Sequence, residues 1–196
     1  YPTPVIGMVG LIDDLNNVTT LEYKNEGDLI IALGSINSHL GGSEYLKTIH
    51  GIVEGPLANL DINTEHKIQQ LCYESIKLGI VNSAHDMSDG GLAVNIAESI
   101  IFSKNDLGAT LDLSRKINDV ELLFGECPSV IIVTINKENL YKLAVLSKKF
   151  DVHTQTIGTV NDKAKLEIND LVSIDKDKLK NSYLNTLSGI MKESDV

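Results

Sequence analysis

Cysteine is scarce in this chain and tryptophan is absent. The two cysteines, Cys72 and Cys127, are too few for a disulfide framework in 196 residues. Neither lies near histidines or cysteines at the spacing of metal ligands, so the sequence predicts no metal site built by this chain alone. Cys72 falls on an apolar helical stripe and is expected in the core. This cysteine usage favours a cytoplasmic location.

Positive charge is also in short supply. Lys and Arg number 17 against 27 Asp and Glu, which gives a formal net charge of −10 and an isoelectric point near 4.9. This field repels phosphate backbones, so no nucleic-acid partner is expected. Anionic nucleotides would need focused backbone amides or metal ions. No apolar run approaches the roughly 18 residues of a membrane span, and no signal peptide is recognisable, so no membrane partner is expected.

Helical and strand patterns interleave along the chain, which predicts an α+β fold with helices packed on a mixed β-sheet. The length suits a single domain over residues 1–196, with residues 170–196 as a C-terminal helical extension. Strands are predicted at residues 5–12, 28–34, 80–84, 109–113, 130–135, 153–160 and 165–168. Helices are predicted at residues 43–50, 64–78, 92–103, 118–124, 136–149 and from 175 onwards.

Two of these helices have predicted inward faces. In the helix over residues 64–78, Thr64 is the expected cap. The apolar stripe predicted to face the core consists of Ile68, Leu71, Cys72 and Ile76. In the helix over residues 136–149, the residues predicted to face inward are Leu140, Leu143 and Ala144.

The strongest chemical motif is His-Asp-Met-Ser-Asp-Gly-Gly-Leu at residues 85–92, between a predicted strand and a predicted helix. Free amides and partial positive charge at a helix N-terminus suit a phosphate, and glycines let a ligand approach the backbone. The two aspartates could hold Mg²⁺ or accept from a ribose hydroxyl. The candidate ligand residues are therefore Asp86, Ser88, Asp89, Gly90 and Gly91. A plain structural interpretation stays open, in which Ser88 or Asp89 caps a core helix and the glycines permit close packing.

Two further turns contain candidate ligand residues of the same types. Gly41, Gly42 and Ser43 stand at another predicted helix start. Glu126 follows a predicted helix and offers a carboxylate to a ligand, although a simple turn also explains that segment. Cys127 has no identifiable base nearby, so it is not expected to be a nucleophile.

Four motifs in this order resemble the last domain of the phosphoribosylformylglycinamidine synthase family, part of the aminoimidazole ribonucleotide synthase-related superfamily. They are Tyr-Pro-Thr-Pro-Val-Ile-Gly-Met-Val-Gly from residue 1, Gly-Gly-Ser-Glu-Tyr-Leu from residue 41, the motif at residues 85–92, and Leu-Phe-Gly-Glu-Cys-Pro-Ser from residue 123. The resemblance implies an ATP- and Mg²⁺-dependent ligase that forms an amidine in purine biosynthesis. Its implied partners are upstream domains of the same polypeptide, a glutaminase domain or subunit, and a small accessory subunit.

The resemblance assigns no catalytic residue to this chain. The family's substrate motif Glu-Ser-Gln belongs to an earlier copy of the domain, and the corresponding turn here reads Glu126, Cys127, Pro128. The chain alone is therefore expected to be inactive. Two alternatives remain: a domain of another ATP-using superfamily member, of the aminoimidazole ribonucleotide synthase, selenophosphate synthetase or thiamine-monophosphate kinase type, or a purely structural domain whose diglycine turns bind nothing.

Overall fold

A computed structural model describes residues 4–114 and 117–193, without the side chains of residues 187, 192 and 193. The strands are β1 (Leu29–Leu33), β2 (Val81–Asp86), β3 (Gly108–Leu111), β4 (Ile131–Ile135), β5 (Thr154–Asn161), β6 (Lys165–Ile168) and β7 (Val172–Asp175). The α-helices are α1 (Ile62–Lys77), α2 (Gly91–Phe102), α3 (Asp119–Phe124), α4 (Leu140–Phe150) and α5 (Lys176–Glu193). Short 3₁₀ turns occupy Leu15–Asn17 and Lys137–Asn139, and Leu46–His50 is a π-helix.

The seven strands form one sheet in the order β2-β4-β1-β5-β3-β6-β7. Every neighbouring pair is antiparallel except β3 and β6, which are parallel. Helices pack on this sheet, so the predicted α+β fold with a mixed sheet is confirmed. No helix in the described ranges is long and apolar enough to cross a membrane.

Strand β1, third in the sheet order, is buried on both faces of the sheet, which explains why its sequence is apolar throughout. Ile30 and Ala32 belong to a core that includes α2 and α3. Ile31 and Leu33 belong to a second core, formed with α1 and α4 on the opposite face. Successive side chains of a strand point to opposite faces of the sheet. When helices cover both faces, the odd and the even positions of the strand must therefore both be apolar.

Helix α1 begins two residues earlier than the sequence predicted. Asp61 is the N-cap and accepts from the Asn63 amide at 3.1 Å, whereas Thr64 donates to Asp61 at 2.6 Å. The predicted stripe is confirmed at Ile68 and Leu71, which are fully buried, and at Cys72. Ile76 is partly buried against the same core. In α4 the prediction holds for Leu143 but is wrong for Leu140 and Ala144, which are exposed because only a narrow face of this helix meets the sheet.

Two segments differ from their sequence-based expectations. Residues 5–12 are predicted as a buried strand, but they form no strand and are exposed. The first three residues of the opening motif lie outside the described residues. Strand β7 was not predicted, because its short polar-apolar alternation resembles the start of the following helix.

The last helix is anchored at its first residue. Lys176 is buried, and its Nζ donates to the backbone oxygen of Ser103 at 3.0 Å and to its Oγ at 2.8 Å. Ser103 is the C-cap of α2, where a cation complements the helix dipole. Burial lowers the pKa of the Lys176 amino group. Helix α5 is therefore fixed to the end of α2 rather than loosely appended.

Candidate functional site

The three motifs singled out in the sequence meet at one carboxylate. Oε1 of Glu126 accepts a hydrogen bond from the Gly90 amide at 2.8 Å and from the Glu44 amide at 2.9 Å. Gly90 precedes α2, and Glu44 opens the helical turn over residues 44–50 that follows the first glycine pair. The fold thus brings together segments that are 82 and 36 residues from Glu126 along the chain.

Backbone pairing holds Glu126 in place. Its amide donates to His39 O at 2.9 Å and its carbonyl accepts from the His39 amide at 3.1 Å, an isolated antiparallel bridge. The preceding residue, Gly125, donates to Glu121 O at 2.9 Å and ends α3. The carboxylate is therefore set between a helix end and a bridge before it contacts the two amides.

Helix α2 takes its cap from Glu126. Gly90 is the N-cap residue with φ of 81° and makes no side-chain cap of its own. The Gly91 amide donates to Ser88 O at 3.1 Å, but neither Ser88 nor Asp89 caps the helix with its side chain. The expectation that one of them does so is wrong. A carboxylate at a helix N-terminus accepts from a free amide and complements the dipole, as a bound anion would.

The second glycine of this pair is required for packing. Gly91 has φ of 70°, and a Cβ built there would lie 2.5 Å from Gly125 O and 2.8 Å from Phe124 C. At Gly90, φ is 81° and a Cβ would lie 2.6 Å from a side-chain methyl of Val94. The pair therefore lets α2 start against the end of α3, as the structural interpretation predicted.

The first glycine pair also packs against backbone. A Cβ on Gly41 would lie 2.2 Å from Pro56 O, and Gly42 has φ of 72° and donates to Glu54 O at 2.9 Å. Ser43 is buried; its Oγ donates to Leu40 O at 2.6 Å and lies 3.4 Å from the Leu46 amide. The helix predicted here is confirmed over residues 44–50, although its last five residues are π-helical. Ser43 thus fastens a helical turn and does not face outward.

Three of the predicted candidates present exposed side chains: Asp86, Ser88 and Asp89. The backbone beneath them is fixed, because Asp86 O accepts from Asn95 Nδ2 at 2.7 Å and the Met87 amide donates to Val130 O at 2.9 Å. These three side chains are therefore exposed to solvent, whereas the glycine pairs, Ser43 and Glu126 make packing contacts and hydrogen bonds inside the fold.

Lys47 is a cation near this turn to which sequence reasoning assigned no role. Its Nζ lies 2.7 Å from Glu44 Oε1. The pKa of Lys47 is raised by its hydrogen bond to Glu44 and by the charge of that carboxylate, with a smaller contribution from Asp89. Its position four residues after Ser43 is the signal that would place it beside the turn, on the outer side of the same helical segment.

The carboxylates do not form a complete metal site by themselves. In residues 4–114 and 117–193 no group of three or more His, Cys, Asp or Glu side chains could hold a metal ion. Mg²⁺ prefers six oxygen ligands and commonly takes one or two carboxylates together with water and phosphate oxygens. A divalent ion would therefore need oxygen ligands from outside these residues.

Comparison with known proteins identifies the domain. Residues 25–170 match the family described as AIR synthase related protein, C-terminal domain. The chain belongs to this family. The resemblance drawn from its ordered motifs is confirmed at that level.

The relatives of this AIR synthase-related domain are much longer proteins. The chain is 38% identical over 176 residues to the phosphoribosylformylglycinamidine synthase subunit PurL of Thermoanaerobacter sp. strain X514, covering 89% of this chain and 24% of that protein. It is 39% identical over 164 residues to the PurL subunit of Caldanaerobacter subterraneus subsp. tengcongensis, covering 83% and 22%. The chain therefore spans about a quarter of the length of the curated relatives it matches.

Solved structures share the fold. T. maritima PurL complexed with FGAR matches with a TM-score of 0.70 and 14% identity, over 85% of this chain and 30% of that one. T. maritima PurL complexed with ATP matches with a TM-score of 0.65 and 15% identity, over 85% and 28%. A chain of a HypE-HypF complex matches with a lower TM-score of 0.53 and 16% identity, over 79% of this chain and 54% of that one.

A cleft of about 460 Å³ adjoins the residues that follow Glu126 in this AIR synthase-related domain. Its lining includes Cys127, Lys67 and Asp151. Burial raises the pKa of the Cys127 thiol, which keeps it protonated and a poor nucleophile. Lys67 Nζ lies 2.8 Å from Asp151 Oδ2, so its charge is already paired. His39 and His153 also line this cleft, so its lining mixes cationic, acidic and thiol groups without the glycine pairs of the helix starts.

Proposed function

We propose that this chain is the C-terminal domain of a phosphoribosylformylglycinamidine synthase. That enzyme converts formylglycinamide ribonucleotide, glutamine-derived ammonia and ATP to formylglycinamidine ribonucleotide. The observation that carries the proposal is the 38% identity to PurL subunits over 89% of the chain. The motifs that begin at residues 41, 85 and 123 support the assignment because they resemble that family in sequence and order. In the fold, the Glu126 carboxylate joins all three.

In this proposal the chain supplies one wall of a composite site. The exposed side chains of Asp86, Ser88 and Asp89 face a phosphate-bearing ligand, ATP or the ribonucleotide. Since the net charge of the chain is −10, contact between this acidic turn and phosphate requires a cation between them. Mg²⁺ would be held by the two aspartates and by phosphate oxygens, and it would neutralise charge on the transferred phosphate.

The other candidate residues do not contact the ligand in this proposal but set the backbone conformation of the site. Gly41, Gly42, Ser43, Gly90 and Gly91 form the backbone of the two helix starts, and the Glu126 carboxylate holds them together. Glu126 is therefore a positioning residue in this proposal. A ligand phosphate would meet the exposed face of the turn and not the amides that Glu126 already engages.

A domain that binds no ligand is the second candidate function. One observation favours it: a carboxylate of the protein itself occupies the position that an external anion would take at both helix starts. In that case the cluster is a structural device, and the domain serves as an interface within the larger enzyme.

The remaining parts of the proposal concern the whole polypeptide. We place residues 1–196 in one domain, with residues 170–196 as its C-terminal extension, which includes β7 and α5. Upstream domains, a glutaminase domain or subunit and a small accessory subunit would complete the enzyme. Cys72 and Cys127 are both buried and unpaired, which supports a cytoplasmic location.

Turnover by the chain alone tests the composite site. Purified chain supplied with ATP, Mg²⁺, ammonia and formylglycinamide ribonucleotide should form no amidine above background, because the described residues contain no nucleophile–base pair and only one wall of the site. The same assay on the full-length polypeptide, supplied with its glutaminase and accessory subunits, should show turnover. Amidine formation that depends on the isolated chain would refute the composite site, and an inactive complete assembly would refute the assigned reaction.

A further inference from the structure

Asn95 is a buried polar residue of α2 with an unusual set of contacts. Its side chain is 2% exposed and lies next to Leu92 and Ile96, which are fully buried. Nδ2 of Asn95 donates to the backbone oxygen of Asp86 at 2.7 Å and lies 3.4 Å from that of His85. The side chain of Asn95 therefore joins α2 to the end of the strand that precedes it.

The Asp86 carbonyl lies on the open side of the sheet. Strand β2 ends at Asp86 and is an edge strand. Alternate residues of a strand direct their backbone groups to the same side. The Ala84 amide donates away from β4, to Thr20 O at 3.2 Å, so the Asp86 carbonyl also points away from β4. No strand pairs with it there, and Asn95 supplies the missing donor.

This bond fixes the peptide unit that follows the Asp86 side chain. The Asp86 carbonyl and the Met87 amide belong to one planar peptide unit. Asn95 holds the carbonyl on one side, and the Met87 amide donates to Val130 O at 2.9 Å on the other. Rotation of this unit is therefore blocked in both directions, and the exposed Asp86 carboxylate leaves a backbone of fixed orientation.

Asn95 is an expensive residue at this position. Its Oδ1 is buried and has no hydrogen-bond partner among the described residues. A buried acceptor without a partner lowers stability, and asparagine is also a poorer helix former than alanine or leucine. An apolar side chain would remove both penalties. Local choices that oppose stability are expected at functional positions, so this residue is more than a packing element.

We propose that Asn95 is a positioning residue that directs the Asp86 carboxylate towards a Mg²⁺ ion carried by a phosphate-bearing ligand. The inference rests on the proposed function, in which Asp86 and Asp89 bind that ion. Asn95 is buried and does not itself contact the ligand. Mg²⁺ demands near-ideal octahedral geometry, and a ligand group that is already oriented loses little conformational freedom on binding. Both effects raise affinity for the ion and its ligand.

A double-mutant cycle in the full-length polypeptide tests this role. Isothermal titration calorimetry measures affinity for Mg²⁺-ATP and for formylglycinamide ribonucleotide with Mg²⁺. Asn95→Ala removes the hydrogen bond, and Asn95→Leu removes it while keeping a similar volume. Each should weaken, by about fivefold or more, whichever affinity Asp86→Asn weakens. Combined with Asp86→Asn, each should weaken that affinity further by less than about twofold, because no carboxylate remains to be positioned.

Ser99→Ala is the matched control, since it removes another buried polar group from α2. The Ser99 hydroxyl donates to Asn95 O at 3.2 Å, a bond within the helix, so its loss should change both affinities by less than about twofold. Melting temperatures establish that each variant is folded.

Three outcomes would overturn the role of Asn95. Equal losses with and without the Asp86 carboxylate would show that Asn95 acts only through general stability. Full affinity in both Asn95 variants, beside a loss in Asp86→Asn, would refute the positioning role and leave the proposed ligand site standing. Unaltered affinity of Asp86→Asn for both ligands would refute the positioning role and the ligand site together.

Discussion

Gly91→Ala should lower the free energy of unfolding of this chain by about 2–5 kcal/mol, combining left-handed backbone strain with overpacking. The new Cβ would lie 2.5 Å from Gly125 O and 2.8 Å from Phe124 C. Both are backbone atoms, so neither can turn aside as a flexible side chain could. Relief requires α2 to move away from the end of α3, which disturbs the core between them.

Gly79→Ala is the matched control. Gly79 also has a positive φ, 63°, but a Cβ there would meet nothing within 4 Å. Its substitution should cost only the left-handed strain, about 1–2 kcal/mol. Urea denaturation of both variants gives the comparison, and the difference between them isolates the clash. Equal losses would show that α2 and α3 do not pack as closely as the structure places them.

Glu126→Ala should lower the free energy of unfolding by about 2–4 kcal/mol, because two charge-assisted hydrogen bonds are lost together. The amides of Gly90 and Glu44 then have no carboxylate to accept from them. Glu126→Gln keeps an oxygen acceptor without the charge, so its loss should be smaller, about 1 kcal/mol. Glu138→Ala removes an exposed carboxylate of the same type and should change stability by less than about 0.5 kcal/mol.

Hydrogen exchange adds a local measurement for the Glu126 variants. The amides of Gly90 and Glu44 should lose protection in Glu126→Ala more than amides in the sheet strands do. A uniform loss across the domain would reflect global destabilisation alone. Unchanged stability and unchanged exchange at the two amides would contradict the role of Glu126 as the link between the helix starts.

The fold was largely predictable because its helices and strands carry clear patterns. Strand β1 is apolar at every position, and the stripe Ile68–Leu71–Cys72 of α1 repeats at helical spacing, so burial of both follows from periodicity. The failures occur where burial depends on a neighbour that periodicity does not reveal. Leu140 lies at a suitable spacing in α4, but no element among the described residues covers it, so it is exposed.

The prediction of a buried strand over residues 5–12 is wrong for the same physical reason. Their composition predicts a buried strand, yet nothing among the described residues covers them. The pattern of a segment reports the environment in which it is stable, and that environment need not lie within the same domain.

The candidate site was predictable as a set of residues but not as an arrangement. Turn chemistry at helix starts predicts the glycine pairs and the aspartates, and Glu126 is predicted from the turn that follows a helix. That chemistry cannot tell a ligand's anion from a carboxylate of the protein, because both satisfy the same amides. Only the folded chain shows that Glu126 takes this position and that Asp86, Ser88 and Asp89 remain on the exposed side.

Affinity of the full-length polypeptide for Mg²⁺-ATP tests most directly whether this turn lines a ligand site. Asp86→Asn combined with Asp89→Asn should weaken the affinity, measured by isothermal titration calorimetry, by about tenfold or more, since carboxylates are strong Mg²⁺ ligands. Asp112→Asn combined with Asp162→Asn removes two exposed carboxylates elsewhere and should leave it unchanged. Melting temperatures of both double variants should match the parent. Unaltered affinity of the Asp86 and Asp89 variant for both Mg²⁺-ATP and formylglycinamide ribonucleotide would contradict the account and favour a domain that binds no ligand.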